Sequence, residues 1–392
     1  MAKLLEITGK AISGEWGQDD DTGTGVPVLR TTNFTNEGFV NYKNVVTRSI
    51  SKKNIEEKYL RHGDIIIEKS GGSDKQPVGR VIFFEGEENK YLFNNFTGLL
   101  RVQNPEEWLP KYVFYALYAY YRNGGTRAFE NRTTGLHNLQ VDNYVKSVDI
   151  PKLSYLRQQH ICETLDHVRD AVAYREQQLS KLDELIKARF VEMFGDPVNN
   201  PLHWKKVKLS ELADIKIGPF GSLLHKEDYV TGGHPLVNPS HIIDGKIIVD
   251  NDLTLTDEKY SELVSYHLKK DDIVLGRRGE MGRCAVVDRE GLLCGTGSLL
   301  LRPTGVVTAD YIQKIISFPT FKKTIEDMAV GQTMPNLNVP IVSNFMIILP
   351  PLSVQKEYYA FVAEVDKSKA DVQKALDQTQ LLFDSLMQQY FG

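Results

Sequence analysis

The stretch Val148-Asp149-Ile150-Pro151-Lys152-Leu153-Ser154 and its counterpart Ile347-Ile348-Leu349-Pro350-Pro351-Leu352-Ser353 decide how this 392-residue chain is organised. Each reads as a short strand, a proline that ends the strand, and a Leu-Ser step at which a helix begins. Because the pattern occurs twice, about 200 residues apart, the sequence predicts an internal duplication.

A long amphipathic helix is predicted after each stretch. Apolar residues recur at alternating spacings of four and three, which indicates the seam of a coiled coil over about four heptads. With the copies aligned about 200 residues apart, the predicted seam consists of Ile161, Leu165, Val168, Val172, Leu179, Leu182 and Ile186, and of Phe361, Val365, Val372, Ala375, Leu382 and Leu386. Each helix would be about 60 Å long. The alternative is that each helix packs only on its own domain.

Polar residues interrupt this seam at Arg175, Arg189, Ser368 and Thr379. Residues of this kind usually fix register or partner choice at some cost in stability. The copies end on Met193-Phe194-Gly195 and Tyr390-Phe391-Gly392, which are 197 residues apart. The repeat is therefore predicted to contain a small insertion or deletion.

The segments before the helices repeat more weakly and predict two mixed α/β (α+β) domains of one kind. Both have an Asp-Ile step into a strand, at Asp64-Ile65 and Asp272-Ile273, and then a Gly-Arg loop, at Gly79-Arg80 and Gly282-Arg283. Helices are predicted over 111–121 and 309–318. The predicted boundaries are 1–150 and 196–349 for the domains, and 151–195 and 350–392 for the helical segments.

Composition narrows the class of protein. Hydrophobic residues make up 41% and charged residues 25%, which is typical of globular domains. Three cysteines are too few for a disulfide framework or a zinc site of their own. No apolar run approaches the ~20 residues of a membrane span, and the N-terminus does not read as a signal peptide. We expect a cytoplasmic protein.

Motifs for catalysis are missing from the sequence. It contains no Walker motif, no Gly-x-Gly-x-x-Gly at a strand–helix step and no Asn/Asp-Pro-Pro-Tyr step of an adenine methyltransferase. The nine histidines have no metal-ligand spacing. We therefore predict no catalytic residues, no metal site and no cofactor of the chain's own.

Polar loops are the remaining candidates for function. Lys, Arg, Ser and backbone N–H groups bind phosphates, and Arg and Gln read base edges. The candidate DNA-binding residues are Arg30, Thr32, Asn33, Lys69, Ser70, Gly71, Ser73, Lys75, Gln76, Arg80, Asn95, Arg132 and Thr134 in the first domain, and Asn238, Ser240, His241, Arg277, Arg278, Glu280, Arg283, Thr296, Ser298, Gln332 and Asn336 in the second. Any one of these loops could instead be solvated surface, but their occurrence at corresponding places favours a function.

The chain resembles the specificity (S) subunit of type I restriction-modification systems along essentially its whole length. The resemblance lies in Ile150-Pro151-Lys152-Leu153 with Arg157-Gln158-Gln159, Leu349-Pro350-Pro351-Leu352-Ser353, Gly63-Asp64-Ile65 with Lys69-Ser70-Gly71-Gly72, Arg277-Arg278-Gly279-Glu280-Met281-Gly282-Arg283, and Phe190-Val191-Glu192-Met193-Phe194-Gly195-Asp196-Pro197. The loops support the class of protein and not the DNA sequence recognised.

That resemblance implies a non-catalytic subunit with two target recognition domains. The two helices would form an antiparallel coiled-coil spacer with pseudo-two-fold symmetry, and each domain would read one half of a bipartite, asymmetric DNA site. The implied partners are double-stranded DNA, two modification subunits that bind S-adenosylmethionine and methylate adenine, and restriction or motor subunits. No membrane partner is implied.

The net charge of −4 does not argue against a nucleic-acid binder, but it predicts weak DNA binding by the isolated chain. The alternative function is a non-catalytic scaffold that oligomerises through its helices. A self-contained nuclease or methyltransferase is disfavoured by the missing motifs.

Overall fold

Two long helices organise the structure, a computed structural model that describes residues 1–53, 55–133, 136–220, 223–329 and 336–392. By the density of internal contacts the chain divides into two compact units, which we call unit 1 (residues 1–178 with 372–392) and unit 2 (residues 179–371). Each unit therefore combines one α/β domain with parts of both long helices. The boundaries predicted at 150, 195 and 349 separate domain from helix, and they stay a prediction.

The first half of the chain contains thirteen strands within the described residues, and the strand predicted after the Asp64-Ile65 step is confirmed. The strands are β1 (Ala2–Lys3), β2 (Ile12–Ser13), β3 (Gln18–Asp19), β4 (Val26–Leu29), β5 (Val46–Ser49), β6 (Ile65–Glu68), β7 (Ser70–Gly72), β8 (Val81–Phe83), β9 (Leu92–Phe93), β10 (Thr97–Leu100), β11 (Glu130–Thr133), β12 (Leu136–Leu139) and β13 (Asp149–Ile150). The helices are α1 (Leu4–Thr8), α2 (Pro110–Arg122), α3 (Val141–Ser147) and the long α4 (Tyr155–Phe194).

The second half also contains thirteen strands within the described residues. Its strands are β14 (Lys206–Lys208), β15 (Ala213–Ile217), β16 (Tyr229–Val230), β17 (His234–Val237), β18 (Ile242–Ile243), β19 (Lys246–Ile247), β20 (Thr254–Leu255), β21 (His267–Leu268), β22 (Ile273–Gly276), β23 (Cys284–Val286), β24 (Leu292–Cys294), β25 (Ser298–Pro303) and β26 (Met346–Ile348). Its helices are α5 (Asp257–Glu262), α6 (Ala309–Ile316), α7 (Pro319–Met328), α8 (Val339–Ser343) and the long α9 (Leu352–Phe391).

A four-stranded antiparallel sheet lies at the centre of each unit, with strand order β2-β10-β6-β8 in unit 1 and β15-β25-β22-β23 in unit 2. Side chains alternate along a strand, so each central strand faces two cores. Ile65 and Ile67 pack toward helix α2, whereas Ile66 packs into a second core with Phe93 of the neighbouring sheet β3-β5-β4-β9. The layers are therefore helix, sheet and sheet.

An ion pair with a buried aspartate fixes the start of the central strand in both units. Arg101 donates to both carboxylate oxygens of Asp64 at 2.7 Å, and Asp64 also accepts from the backbone N–H of Arg61. In unit 2, Arg302 makes the matching bidentate contact with Asp272 at 2.8 and 2.7 Å. The predicted duplication of the Asp-Ile step is thus confirmed in its contacts.

Both long helices cover 40 residues and align at an offset of 197, not 200. Gln158 and Gln355 establish this register because both side chains are fully buried and make equivalent hydrogen bonds. The Gln158 amide donates to Leu153 O at 3.0 Å, five residues earlier, and the Gln355 amide donates to Pro350 O at 3.0 Å. Each also accepts from the N-cap residue of the packed helix, Leu109 at 2.8 Å or Thr308 at 3.5 Å.

The helices pair antiparallel. In unit 1 the first part of α4 shares a core with the last part of α9, where Ile161 and Leu165 lie in one cluster with Phe383 and Met387. In unit 2 the last part of α4 meets the first part of α9, where Lys369 contacts Asp183 at 2.5 Å. Two of the polar interruptions of the seam bind each other, since the Arg175 guanidinium donates to the Thr379 hydroxyl.

One predicted seam residue is misplaced. Leu382 is 50% exposed, and its neighbour Phe383 is the buried residue of that turn at 7%. Ser368 is exposed as well. An offset of 200 in place of 197 moves the predicted seam of the second helix by three residues and puts Leu382 on it. The remaining predicted positions of this helix, including Phe361, Val365 and Leu386, are buried or half-buried.

Candidate nucleic-acid interface

Three of the polar loops of unit 1 meet at the end of strand β6, around Lys69. The backbone N–H of Lys69 donates to Phe96 O at 2.8 Å, which joins the turn between β9 and β10. The carbonyl of Lys69 accepts from Leu139 N at 2.8 Å, and β7 then pairs with β12. Loops that lie 27 and 70 residues away in sequence are thereby held beside one lysine.

The Lys69 side chain is a cation without an acidic partner among the described residues. It is half-buried, and its Nζ donates to Ser13 Oγ at 3.4 Å. Burial lowers the pKa of Lys69, and the nearby Lys58 lowers it further. An anion such as a DNA phosphate would stabilise the charged form at this place.

The loop after Lys69 presents polar side chains to solvent. Ser73 and Gln76 close a turn through Ser73 N to Gln76 O at 2.7 Å and Gln76 N to Ser73 Oγ at 3.1 Å, and Lys75 lies exposed between them. Gly71 has φ +136°, and a Cβ there would meet Glu68 Oε1 at 3.0 Å. Asn95 is exposed next to Phe96, whose side chain is 54% exposed.

Unit 2 builds the corresponding place around Arg277. Arg277 N donates to Gly297 O at 2.9 Å, and Leu337 N donates to Arg277 O at 2.9 Å. The guanidinium Nε donates to Leu337 O at 3.1 Å. Burial lowers the pKa of Arg277, and the exposed Arg278 lowers it further. Thr296 is exposed in the adjoining turn.

Several predicted DNA contacts instead hold the loops in place. Arg80 donates to Thr31 O at 2.9 Å and lies 3.6 Å from Glu68, and Arg283 donates to Pro239 O at 3.3 Å and to Glu280 at 2.8 Å. Each of these arginines therefore connects the central sheet to a 3-10 turn, Thr31–Asn33 in unit 1 and Pro239–His241 in unit 2. Other predicted residues also make hydrogen bonds inside the unit, through the side chains of Arg30, Asn33, His241 and Ser298 and through the backbone N–H of Asn238.

The other predicted residues divide by exposure. Thr32, Ser240 and Glu280 are exposed, whereas Ser70 and Asn336 are half-buried. Asn336 Oδ1 accepts no hydrogen bond within the described part of the chain. Glu280 accepts from Lys322 and Arg283, both at 2.8 Å, and these cations lower its pKa to about 2. Thr134, Gln332 and the side chain of Arg132 lie outside the described residues.

Sequence reasoning missed the exposed ring of Phe96, which lies beside Lys69. The signal was present, because a large aromatic residue stands in the polar turn Asn94-Asn95-Phe96-Thr97. Exposed aromatic rings beside cations are common in nucleic-acid sites, where they contact bases or sugars. Among the described residues no cluster of His, Cys, Asp and Glu could hold a metal ion.

Comparison with known proteins shows which proteins this chain is similar to. The type I restriction modification DNA specificity domain matches residues 201–379. The specificity subunit of the type I restriction enzyme MjaVIII from Methanocaldococcus jannaschii is 22% identical over 290 residues, which is 66% of this chain and 67% of that protein.

The chain is thus similar to specificity subunits of type I restriction-modification systems. The S subunit from M. genitalium has the same fold, with a TM-score of 0.54, 15% identity and coverage of 100% of this chain and 95% of that one. A structure from a study of complex assembly and conformational transition of the type I R-M system gives a TM-score of 0.62 at 16% identity, covering 100% and 96%.

The matched domain is described as a DNA specificity domain, and the relative from Methanocaldococcus jannaschii is a specificity subunit. Half-buried cations such as Lys69 and Arg277 suit the phosphate oxygens of a DNA backbone. Among the described residues, no helix is long and apolar enough to span a membrane.

Proposed function

We propose that the chain reads a bipartite, asymmetric DNA site, with one half read by each unit. The observation that carries this proposal is the repeated cation, Lys69 in unit 1 and Arg277 in unit 2, held by the same two backbone hydrogen bonds. Different side chains surround the two cations, so two different half-sites are expected. Phosphate contacts fix position, and the exposed polar residues of the loops supply contacts to base edges.

We further propose that this subunit directs two modification subunits to the site. These partners would bind S-adenosylmethionine and methylate adenine, and restriction or motor subunits would complete the complex. Complex formation also fits the net charge of −4, because partner subunits would contribute much of the phosphate neutralisation. We propose the cytoplasm as its location, because DNA and these partners would be met there.

The test is an exchange of one unit's recognition domain. Residues 1–150 are replaced by the equivalent domain of a relative, and adenine methylation is mapped across the genome of a host that expresses the chain with its modification subunit. One half-site should change while the other stays the same. A change in both halves would exclude independent reading, and methylation without sequence preference would leave the oligomerising scaffold as the better account.

A further inference from the structure

Helices α2 and α6 occupy equivalent positions and differ on one face. Both begin after an N-cap residue, Leu109 or Thr308, that donates to the buried glutamine of the long helix. Their core residues match, since Tyr112 and Tyr311 are both fully buried. Three later positions do not match, because Phe114, Tyr115 and Tyr118 of α2 correspond to Gln313 and Lys314 of α6 and to Ser317 directly after it.

In unit 1 aromatic rings fill the space beside this face. Phe114 lies 5.8 Å from Phe39 and 5.6 Å from Tyr118 between ring centroids, and the Arg169 guanidinium lies 4.3 Å from the Phe39 ring. The Tyr115 hydroxyl donates to Asp166 at 2.5 Å. A space of only about 200 Å³ remains.

In unit 2 the corresponding space is open. In unit 1, Phe39 lies opposite Thr35 in a hairpin. In the equivalent hairpin of unit 2, Ile243 takes the place of Thr35, and the exposed Lys246 takes the place of Phe39. Without the three rings a cleft of about 710 Å³ remains. We call it the α6 cleft. This volume lies within the range of small-molecule sites, about 300–1,000 Å³.

The α6 cleft is lined by more cations than acids, namely Lys187, Arg283, Lys314 and Lys322 against Asp244 and Glu280. Lys187 of helix α4 stands where Asp384 stands in unit 1, and Lys314 replaces Tyr115. Neither lysine makes an ion pair with a described residue. Burial lowers the pKa of Lys314 and Lys187 lowers it further, whereas Asp183 and Asp366 act in the opposite direction. Of the two acids that line the cleft, Glu280 is already paired with Lys322 and Arg283.

The remaining walls are apolar and partly aromatic. Phe190 and Phe318 lie 5.5 Å apart between ring centroids and both line the cleft. Ile243 and Val191 line it too, with 53% and 48% of their surface exposed. The Gln313 amide and the Ser317 hydroxyl add hydrogen-bonding groups where unit 1 has rings.

From this comparison we propose that the α6 cleft binds a small aromatic anion of the size of a mononucleotide. The ring of the ligand would occupy the space that Phe114 and Tyr118 fill in unit 1, against Phe318 and Ile243. Its anionic group would bind Lys314 and Lys187. Burial of a ring and pairing of a partly desolvated ammonium both favour binding.

The experiment is calorimetric titration of the full chain with adenosine 5′-monophosphate and with phenyl phosphate. Adenosine and inorganic phosphate serve as the two half-ligands, and each should bind at least tenfold more weakly than the whole anion. Absence of binding by both aromatic phosphates at 10 mM, or equal binding of inorganic phosphate, would overturn the proposal.

Variants locate the site. Lys314→Met should weaken binding of adenosine 5′-monophosphate at least tenfold, and Lys314→Arg should retain most of it. The filling variant Gln313→Phe with Ser317→Tyr, which copies unit 1, should abolish binding. Lys323→Met is the matched control, because Lys323 is exposed on α7 and lies outside the cleft.

The unfolding midpoint of each variant is measured, so that loss of binding can be distinguished from loss of folding. If the filling variant does not fold, Lys187→Met replaces it, and the same weakening of binding is expected. Unchanged binding in the folded lysine variants would refute the site. Displacement of the nucleotide by an unrelated DNA duplex at equal nucleotide concentration would assign the cleft to the DNA surface instead, and would equally overturn it.

Discussion

Lys69 and Arg277 hold the same backbone position in the two units. Each donates its N–H to the carbonyl of the turn before the next central strand, and each accepts from a leucine, Leu139 or Leu337, on the neighbouring segment. Both side chains are half-buried cations. The surrounding loops differ in sequence, so the duplication has retained a cation at this point while its neighbours diverged.

Replacing either cation should weaken DNA binding through its own half-site. For Lys69→Gln and Arg277→Gln in the complex with the modification subunit, we expect the slope of log affinity against log salt to fall by about one, with similar loss on all sequences. Binding is measured by titration at several salt concentrations. Arg61→Gln and Lys270→Gln are the controls, because these exposed residues precede the same strands at the opposite end. Relaxed specificity at one base pair would instead identify a base contact.

The buried glutamines should matter for stability, and unequally. Gln158 makes hydrogen bonds of 2.8 to 3.0 Å to three backbone groups, including Glu107 O, whereas Gln355 makes one at 3.0 Å and one at 3.5 Å. A buried group left without a partner costs about 1–3 kcal/mol. Gln158→Leu should therefore lower the free energy of unfolding by about 2–4 kcal/mol, more than Gln355→Leu does. Urea unfolding measures both, and equal losses would contradict the ranking.

The fold could be predicted from sequence where local patterns are strong. The strand at 64–67, the helix at 111–121 and the two long helices all occur as expected. The register of the second helix could not, because a shift of three residues turns a helix by nearly a full revolution and leaves an apolar stripe apolar. The repeated glutamines, Gln158 and Gln355, carried the correct offset of 197, but a polar residue gives no seam signal.

The candidate site was predicted in outline only. Glycine-rich polar loops indicated the right segments, and Lys69 and Arg277 were among the residues chosen. The sequence could not show that Arg80 and Arg283 have a structural role and that Lys69 and Arg277 do not. The guanidinium groups of Arg80 and Arg283 bind backbone carbonyls, such as Thr31 O, that folding brings from distant parts of the chain. Composition also gave no indication that aromatic side chains of α2 fill a space in unit 1 where unit 2 has the α6 cleft.

The three cysteines should resist alkylation in the native protein. Cys162, Cys284 and Cys294 are buried free thiols, and burial raises the pKa of each to about 12. Since the thiolate is the reactive form, iodoacetamide at pH 8 should modify none of them, whereas three adducts should form in urea. Mass spectrometry counts the adducts. Because Cys162 lies in unit 1 and the others lie in unit 2, the order of labelling in rising urea reports which unit opens first.

Glu280 should add stability that acid removes. Lys322 and Arg283 lower its pKa from 4.5 to about 2, so the stabilisation is complete above about pH 4.5 and is lost as the pH falls toward 2. The side chain is 52% exposed, and solvent screening limits the effect to less than about 1 kcal/mol. Glu280→Gln should be less stable than the parent at pH 7 and equally stable near pH 2, as urea unfolding at both values will show. A constant difference at both pH values would mean that the ion pairs are not its cause.

A matched pair of neighbours tests the register of the helix pair. Phe383 is 7% exposed and packs in the core of unit 1, and the adjacent Leu382 is 50% exposed. Truncating a buried phenylalanine costs about 3–5 kcal/mol through lost transfer free energy and the cavity that remains. Phe383→Ala should therefore lower the free energy of unfolding by that amount and Leu382→Ala by less than about 1 kcal/mol. Circular dichroism during urea unfolding gives both values on the same chain. A larger loss of stability for Leu382→Ala than for Phe383→Ala would instead put Leu382 on the helix seam, which corresponds to an offset of about 200 between the two helices.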